Sequence, residues 1–103
     1  MPNIKFSGVD KSVVEKYALK IDEIATLINA NKEAIIFIAT NDEIFPKRGK
    51  QTPIFITVEW KQRLDKEEIF SKHLTEFFKE YSDSVRVFFT DINDKWYVNG
   101  NKA

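Results

Sequence analysis

Met1-Pro2-Asn3-Ile4-Lys5-Phe6 reads as a short β-strand led by a proline, and Pro53-Ile54-Phe55-Ile56-Thr57-Val58-Glu59-Trp60 reads as a second strand with the same lead. In the first, Ile4 and Phe6 share one face and Asn3 and Lys5 the other, the alternation of a half-buried strand. The second is rich in β-branched and aromatic residues. Gly8 ends the first strand. The segments after the two strands are alike in kind and in length, and that match decides the architecture.

After the first strand, Ser12-Val13-Val14-Glu15 fits a capping box, with Asp10 as an alternative N-cap, and opens a helix expected to run to about Asn29. Val14, Tyr17, Ile21, Ile24, Ala25 and Ile28 recur at three- and four-residue spacing, an apolar stripe for docking on a sheet. The continuous apolar run Ala34 to Thr40 then reads as a central strand covered on both faces. After the second strand, Asp65 with Glu68 signals a helix start, with Leu64 and Ile69 as a hydrophobic staple. Ile69, Phe70, Leu74, Phe77, Phe78 and Tyr81 are its expected buried face, and Val85 to Thr90 alternates as a fourth strand. Residues 41–52 lack any period and form the longest loop. Asp91 to Asp94 is a turn, Trp96-Tyr97-Val98 a short last strand, and Asn99-Gly100 its end.

The order is β-α-β, loop, β-α-β, short β. Strand starts lie 32 residues apart in the first half (34 − 2) and 31 in the second (84 − 53), so the chain reads as a duplicated unit. Right-handed crossovers make each half a parallel pair, and joining them gives an α/β (α+β) sandwich: a four-stranded sheet, a short C-terminal strand, and two helices on one face. The opposite face is then bare, and covering its Phe and Ile side chains requires an oligomer or a partner. A ferredoxin-like fold shares this element order and stays open as an alternative.

Composition narrows the function. A chain of 103 residues fits one domain, 1–103. The absence of cysteine excludes disulfides and thiolate metal sites and fits a cytoplasmic protein. Sixteen basic and sixteen acidic residues leave no net charge, so neither nucleic acid nor an anionic membrane is an expected partner. No apolar run is long enough for a membrane span. His73 has no second His or Cys beside it, so no metal is expected; Glu67 and Glu68 suit a helix first turn rather than a catalytic pair. Lys47-Arg48-Gly49-Lys50 lacks phosphate-loop glycine spacing and reads as solvated loop.

Met1-Pro2 at a strand start, the duplicated βαβ, Lys32 after the first helix, the stretch Asp83-Ser84-Val85-Arg86-Val87-Phe88-Phe89-Thr90-Asp91-Ile92-Asn93 and the ending Trp96-Tyr97-Val98-Asn99-Gly100 together resemble the tautomerase superfamily, the group of macrophage migration inhibitory factor and 5-carboxymethyl-2-hydroxymuconate isomerase. The chain looks most like an uncharacterised small bacterial branch of that group. The resemblance implies a homotrimer with active sites between subunits, no cofactor, and a small-molecule substrate. It implies that Pro2, exposed as an N-terminal amine by loss of Met1, is the general base of a keto-enol proton transfer. Lys32 and Arg86 fall at pocket positions, with Phe88 and Trp96 as further candidate substrate contacts. Phe88 stands where macrophage migration inhibitory factor has a polar residue, so one hydrogen-bond donor is missing.

An unperturbed α-amine titrates at about pH 7.7 to 8.0, and nearby cations such as Lys32 and Arg86 lower that value. The same cations suit a substrate carboxylate and a developing enolate. If Met1 is kept, Pro2 nitrogen is an amide and no base remains. Each position also has a plainer reading: Pro2 as a strand opener, Lys32 as a helix-end cation, Arg86 as an ion-pair partner, Phe88 and Trp96 as packing residues. The alternative function is a non-catalytic oligomeric ligand- or protein-binding module on the same scaffold.

Overall fold

The computed structural model of the chain describes residues 2–103. Whether Met1 is retained falls outside the described residues. β1 (Asn3–Ser7) pairs in parallel with β2 (Ile36–Ala39), and β3 (Ile54–Trp60) pairs in parallel with β4 (Val85–Asp91). The halves join through antiparallel β1 and β3, giving the order β2-β1-β3-β4. Register offsets of 33 in the first half (36 − 3) and 31 in the second (85 − 54) bear out the matched halves. The duplicated β-α-β sandwich is therefore present, with all helices on one face.

The central position read for the apolar run 34–40 is corrected: β2 is an edge strand, and Ile36 is 50% exposed. Continuous apolarity here reflects a core on one face and an open face on the other. Lys32–Ala34 also forms a 3-10 turn, with the Asn31 side chain accepting from Glu33 N–H, so the strand starts late.

The single helix read to Asn29 is two helices, α1 (Lys11–Ala18) and α2 (Ile21–Ile28). Asp10 is the N-cap, its carboxylate accepting from Ser12 N–H at 3.0 Å. At the junction Leu19 N–H is shared between Glu15 and Lys16 carbonyls, and Lys20 N–H reaches back only to Tyr17. The apolar spacing passes through this break because Tyr17 and Ile21 are one turn apart either way, and no Gly or Pro marks it. Asn29, in the left-handed region at φ 54°, closes α2.

The later helix, α3 (Leu64–Phe78), starts one residue before the reading, and the staple does not form: Leu64 is 68% exposed and Ile69 45%. Ile69 thus leaves the expected buried face, which Phe70, Leu74 and Phe78 keep. The N-cap position, Arg63, caps nothing locally; its guanidinium donates to the Ile28 and Asn29 carbonyls at 2.7 and 3.0 Å, closing the end of α2 instead. Asn99-Gly100, read as an end, is the turn of a hairpin between β5 (Tyr97–Val98) and β6 (Asn101–Lys102), both turn residues at positive φ.

Ile4, Phe6, Ile54, Ile56, Val58 and Trp60 alternate onto the helix side and are fully or almost fully buried against α1, α2 and α3. Phe6, Tyr17, Phe37 and Phe78 form one aromatic cluster with ring centres 5.3 to 6.4 Å apart. Tyr17 is the one member with a polar tip, and it finds His73 Nδ1 of α3 at 2.9 Å. His73 Nε2 contacts the Glu23 carboxylate of α2. A carboxylate only accepts, so Nε2 carries the proton, and in the neutral ring Nδ1 accepts from Tyr17. One imidazole thus ties three helices together. Burial pushes the Tyr17 phenol well above its ordinary range, while the hydrogen bond from His73, joined by the charge of the ring when it is protonated, holds the Glu23 carboxyl below its usual value. No helix among the described residues is long and apolar enough to cross a membrane.

Because the folded-state pKa of Glu23 is depressed, its contribution is complete above the ordinary value of 4.5 and fades as pH falls through the lowered one. Melting temperatures of the wild type and Glu23→Gln should therefore differ at neutral pH and converge below pH 4.5; a constant gap down to acid would contradict the pairing. Gly8 sits at φ 89°, and a Cβ there would lie 2.8 Å from Ile44 Cγ1 and 2.9 Å from the Pro53 carbonyl oxygen. Gly8→Ala should cost about 1–3 kcal/mol in urea unfolding. An unshifted midpoint would refute this close approach of β1 to the loop after β2.

Candidate functional site

Pro2 lies one residue beyond the Asn3–Glu59 pair, which puts it across from Trp60 at one end of the sheet. It is buried, and its carbonyl accepts the N–H of Ile36 at 3.0 Å, the bond that starts the β1–β2 ladder. Lys32 opens the 3-10 turn leading into β2, so it belongs to this same end. Its ammonium is half exposed and engages Asp22 of α2 at 3.1 Å, beside an open hollow of about 460 Å³. Trp96 comes after the turn out of β4, which leaves the sheet here too: Ile92 N–H donates to the Trp60 carbonyl at 2.8 Å. Trp96 is half-buried, and its carbonyl accepts from Ala103 N–H. Trp60 itself is fully buried between Phe70 and Phe89, and its indole N–H has no partner among the described residues.

Arg86 and Phe88 lie on the open face, Arg86 toward the other end of the sheet and Phe88 at mid-strand, level with Thr57. Arg86 pairs in register with Phe55, which in turn faces Ser7. Its guanidinium lies 5.6 Å from the Phe55 ring centre, and its Nε donates to Ser84 Oγ at 3.2 Å. Phe88 is 52% exposed and stacks on Phe55 at 6.1 Å. From the level of Trp60 to that of Phe55 is five residues (60 − 55), or about 16 Å along the strand. Within one chain, then, Pro2 and Lys32 share an end, whereas Arg86 and Phe88 do not reach it.

Beside Arg86 the loop 41–52 forms a cleft of about 290 Å³, walled by Phe45, Pro46, Pro53 and Phe55 and carrying Arg48 and Arg86. Sequence reasoning read Arg48 as solvated loop. The available signal was Phe45, a large apolar residue in an otherwise polar, aperiodic stretch, 71% exposed in the structure. The rest of the open face is mixed: Lys5 pairs with Glu59 at 3.2 Å, and Ile36 stands half exposed. A separate hollow of about 430 Å³ beside Gly8 carries Asp10, Asp42, Glu43 and Lys47. Among the described residues no group of three or more His, Asp or Glu side chains is placed to hold a metal ion.

A family model described as a domain of unknown function, DUF1904, matches residues 1–103. The chain belongs to the DUF1904 family. No curated protein sequence matches it. The DUF1904 chain is similar to the crystal structure of a DUF1904 domain from Sebaldella termitidis ATCC 33386, at 21% identity over 100% of both chains and a TM-score of 0.87. It is also similar in fold to a macrophage migration inhibitory factor-like protein from Entamoeba histolytica, at 12% identity over 99% of this chain and 96% of that one, TM-score 0.68. A fused 4-OT described as an asymmetric trimer matches at 16% identity over 98% and 95% of the two chains, TM-score 0.71. At such identities the last two likenesses concern the fold, and on fold this DUF1904 chain has the architecture of the tautomerase superfamily.

Proposed function

We propose that the protein is a cytoplasmic tautomerase-type isomerase of a small carboxylate-bearing carbonyl compound, working as a homotrimer in which 1–103 acts as one domain. Pro2, freed by removal of Met1, is the base. Its amine takes a proton from the carbon next to the carbonyl and returns it at the other end of the enol system. Lys32 and Arg86 hold the substrate carboxylate and the developing enolate oxygen, with Phe88 and Trp96 packing against its body. The observation that carries this reading is the position of Pro2: it opens an inner strand in a tautomerase-like fold, with Lys32 at the same end. Arg86 is about 16 Å along the sheet, so it serves the Pro2 of a neighbouring copy. That arrangement needs an oligomer, and half-exposed Ile36 and Phe88 on the open face favour one.

The non-catalytic binding module is favoured by a different observation: Pro2 is buried and Lys32 is already paired with Asp22. The two readings separate cleanly. Intact mass of the untagged protein should show loss of Met1, and complete retention would rule out the base. Trimmed protein should interconvert the enol and keto forms of a phenylpyruvate-type compound, with the rate falling about 10²–10⁴-fold when the amine is blocked. A rate indifferent to blocking leaves the binding module. Sedimentation at micromolar concentration should give a trimer; a monomer would remove the shared site.

A further inference from the structure

We infer that Tyr17, His73 and Glu23 form a redox-active site, at which Tyr17 gives one electron to an outer-sphere oxidant while its phenolic proton moves to His73. This goes beyond the proposed isomerisation: it needs neither a free Pro2 amine nor a second copy. The two sites share no residue.

The hydrogen-bond chain is the first argument. Tyr17 is fully buried, and its hydroxyl lies 2.9 Å from His73 Nδ1, its one polar partner among the described residues. His73 Nε2 contacts the Glu23 carboxylate, so Nε2 holds the ring proton and Nδ1 offers its lone pair to the phenol. The step balances in atoms and electrons. The Tyr17 O–H bond breaks, its proton forms an N–H bond at Nδ1, and its electron reduces the oxidant, leaving a neutral phenoxyl radical and an imidazolium. That imidazolium donates to the phenoxyl oxygen from Nδ1 and to the Glu23 carboxylate from Nε2, so the new charge is paired where it forms.

Burial makes the two transfers one event. An apolar surround disfavours both a phenolate and a phenol radical cation, and burial already pushes the Tyr17 phenol well above its ordinary range. Moving the proton to Nδ1 as the electron leaves avoids both charged species. On the far side of the ring, the His73 hydrogen bond holds the Glu23 carboxyl below its usual value, so Glu23 is ionised at neutral pH and ready to pair the imidazolium. The surroundings also suit a radical that persists. Phe6, Phe37, Phe77 and Phe78 surround Tyr17 with ring centres 5.0 to 6.0 Å away, and the chain has no cysteine thiol to reduce it. An oxidant can still come close. His73 and half-buried Phe77 both touch the Tyr17 ring and both line a hollow of about 280 Å³ at the surface, so one layer of rings separates Tyr17 from its rim. Glu23, Glu76 and Glu80 outnumber Lys20 around that hollow, which favours a cationic oxidant.

The test is laser flash photolysis with ruthenium tris-bipyridine as the cationic oxidant and a cobalt(III) ammine as its irreversible electron acceptor. A long-lived tyrosyl radical is expected by absorption and electron paramagnetic resonance, and it should form more slowly in deuterium oxide because the proton moves with the electron. Tyr17→Phe, which keeps the aromatic packing, should abolish this signal, whereas Tyr81→Phe and Tyr97→Phe should keep it. His73→Gln, checked for folding by circular dichroism, should slow radical formation about 10²–10⁴-fold, since an amide cannot take the proton. An undiminished radical in Tyr17→Phe, an unchanged rate in His73→Gln, or no slowing of the wild type in deuterium oxide would each overturn the site. The deuterium measurement needs no variant, so it stands even where His73→Gln does not fold. The result bears on this site alone, and failure of the isomerase assay leaves it untouched.

Discussion

The antiparallel pairing of β1 with β3 is the contact on which the rest of the molecule depends. Each half can only make a parallel pair through its crossover helix, and parallel pairs leave one strand edge open on each side. Joining the halves through β1 and β3 satisfies both inner edges and aligns the two apolar strand faces into one floor: Ile4 and Phe6 beside Val58 and Ile56. Only this floor is wide enough to seat α1, α2 and α3 together. The same pairing sends β2 and β4 to the outside, which is why an apolar run reads as central and is found at an edge.

That geometry also sets where chemistry can occur. Antiparallel joining puts the start of β1 level with the end of β3, so Pro2 and Lys32 lie at one end while Arg86, Phe55 and Arg48 lie at the other. A single copy therefore keeps its base candidate apart from the Arg48 and Arg86 guanidiniums. The open face between them is neither fully polar nor fully apolar, with Lys5–Glu59 in its middle and Ile36 and Phe88 toward its margins. A face of that kind suits a second copy that itself brings polar partners, rather than a continuous hydrophobic seal.

Helix packing shows a second dependence, on one polar contact. Tyr17 is fully buried among Phe6, Phe37, Phe77 and Phe78, where an unpaired hydroxyl would cost about 1–3 kcal/mol. His73 satisfies it from α3 and is itself held by Glu23 from α2, so the break between α1 and α2 has a partner on each side. In the sequence His73 was legible only as a residue on a helix edge, because its two partners lie 56 and 50 residues away.

By itself the sequence determined the two βαβ halves, their equal length and the faces of β1, β3 and β4, because period and spacing are local properties that any neighbour must accommodate. Its resemblance to the tautomerase superfamily singled out Pro2, Lys32, Arg86, Phe88 and Trp96 as candidates, with Phe88 a departure from the family pattern. Tertiary structure decided the rest: strand order, the break at Leu19-Lys20, the use of Arg63 to close α2, the Asn99-Gly100 hairpin, and the meeting of Arg48 with Arg86 across 38 residues (86 − 48). These depend on which segments come to lie beside one another, and pairing of segments distant in sequence leaves no periodic trace in either of them.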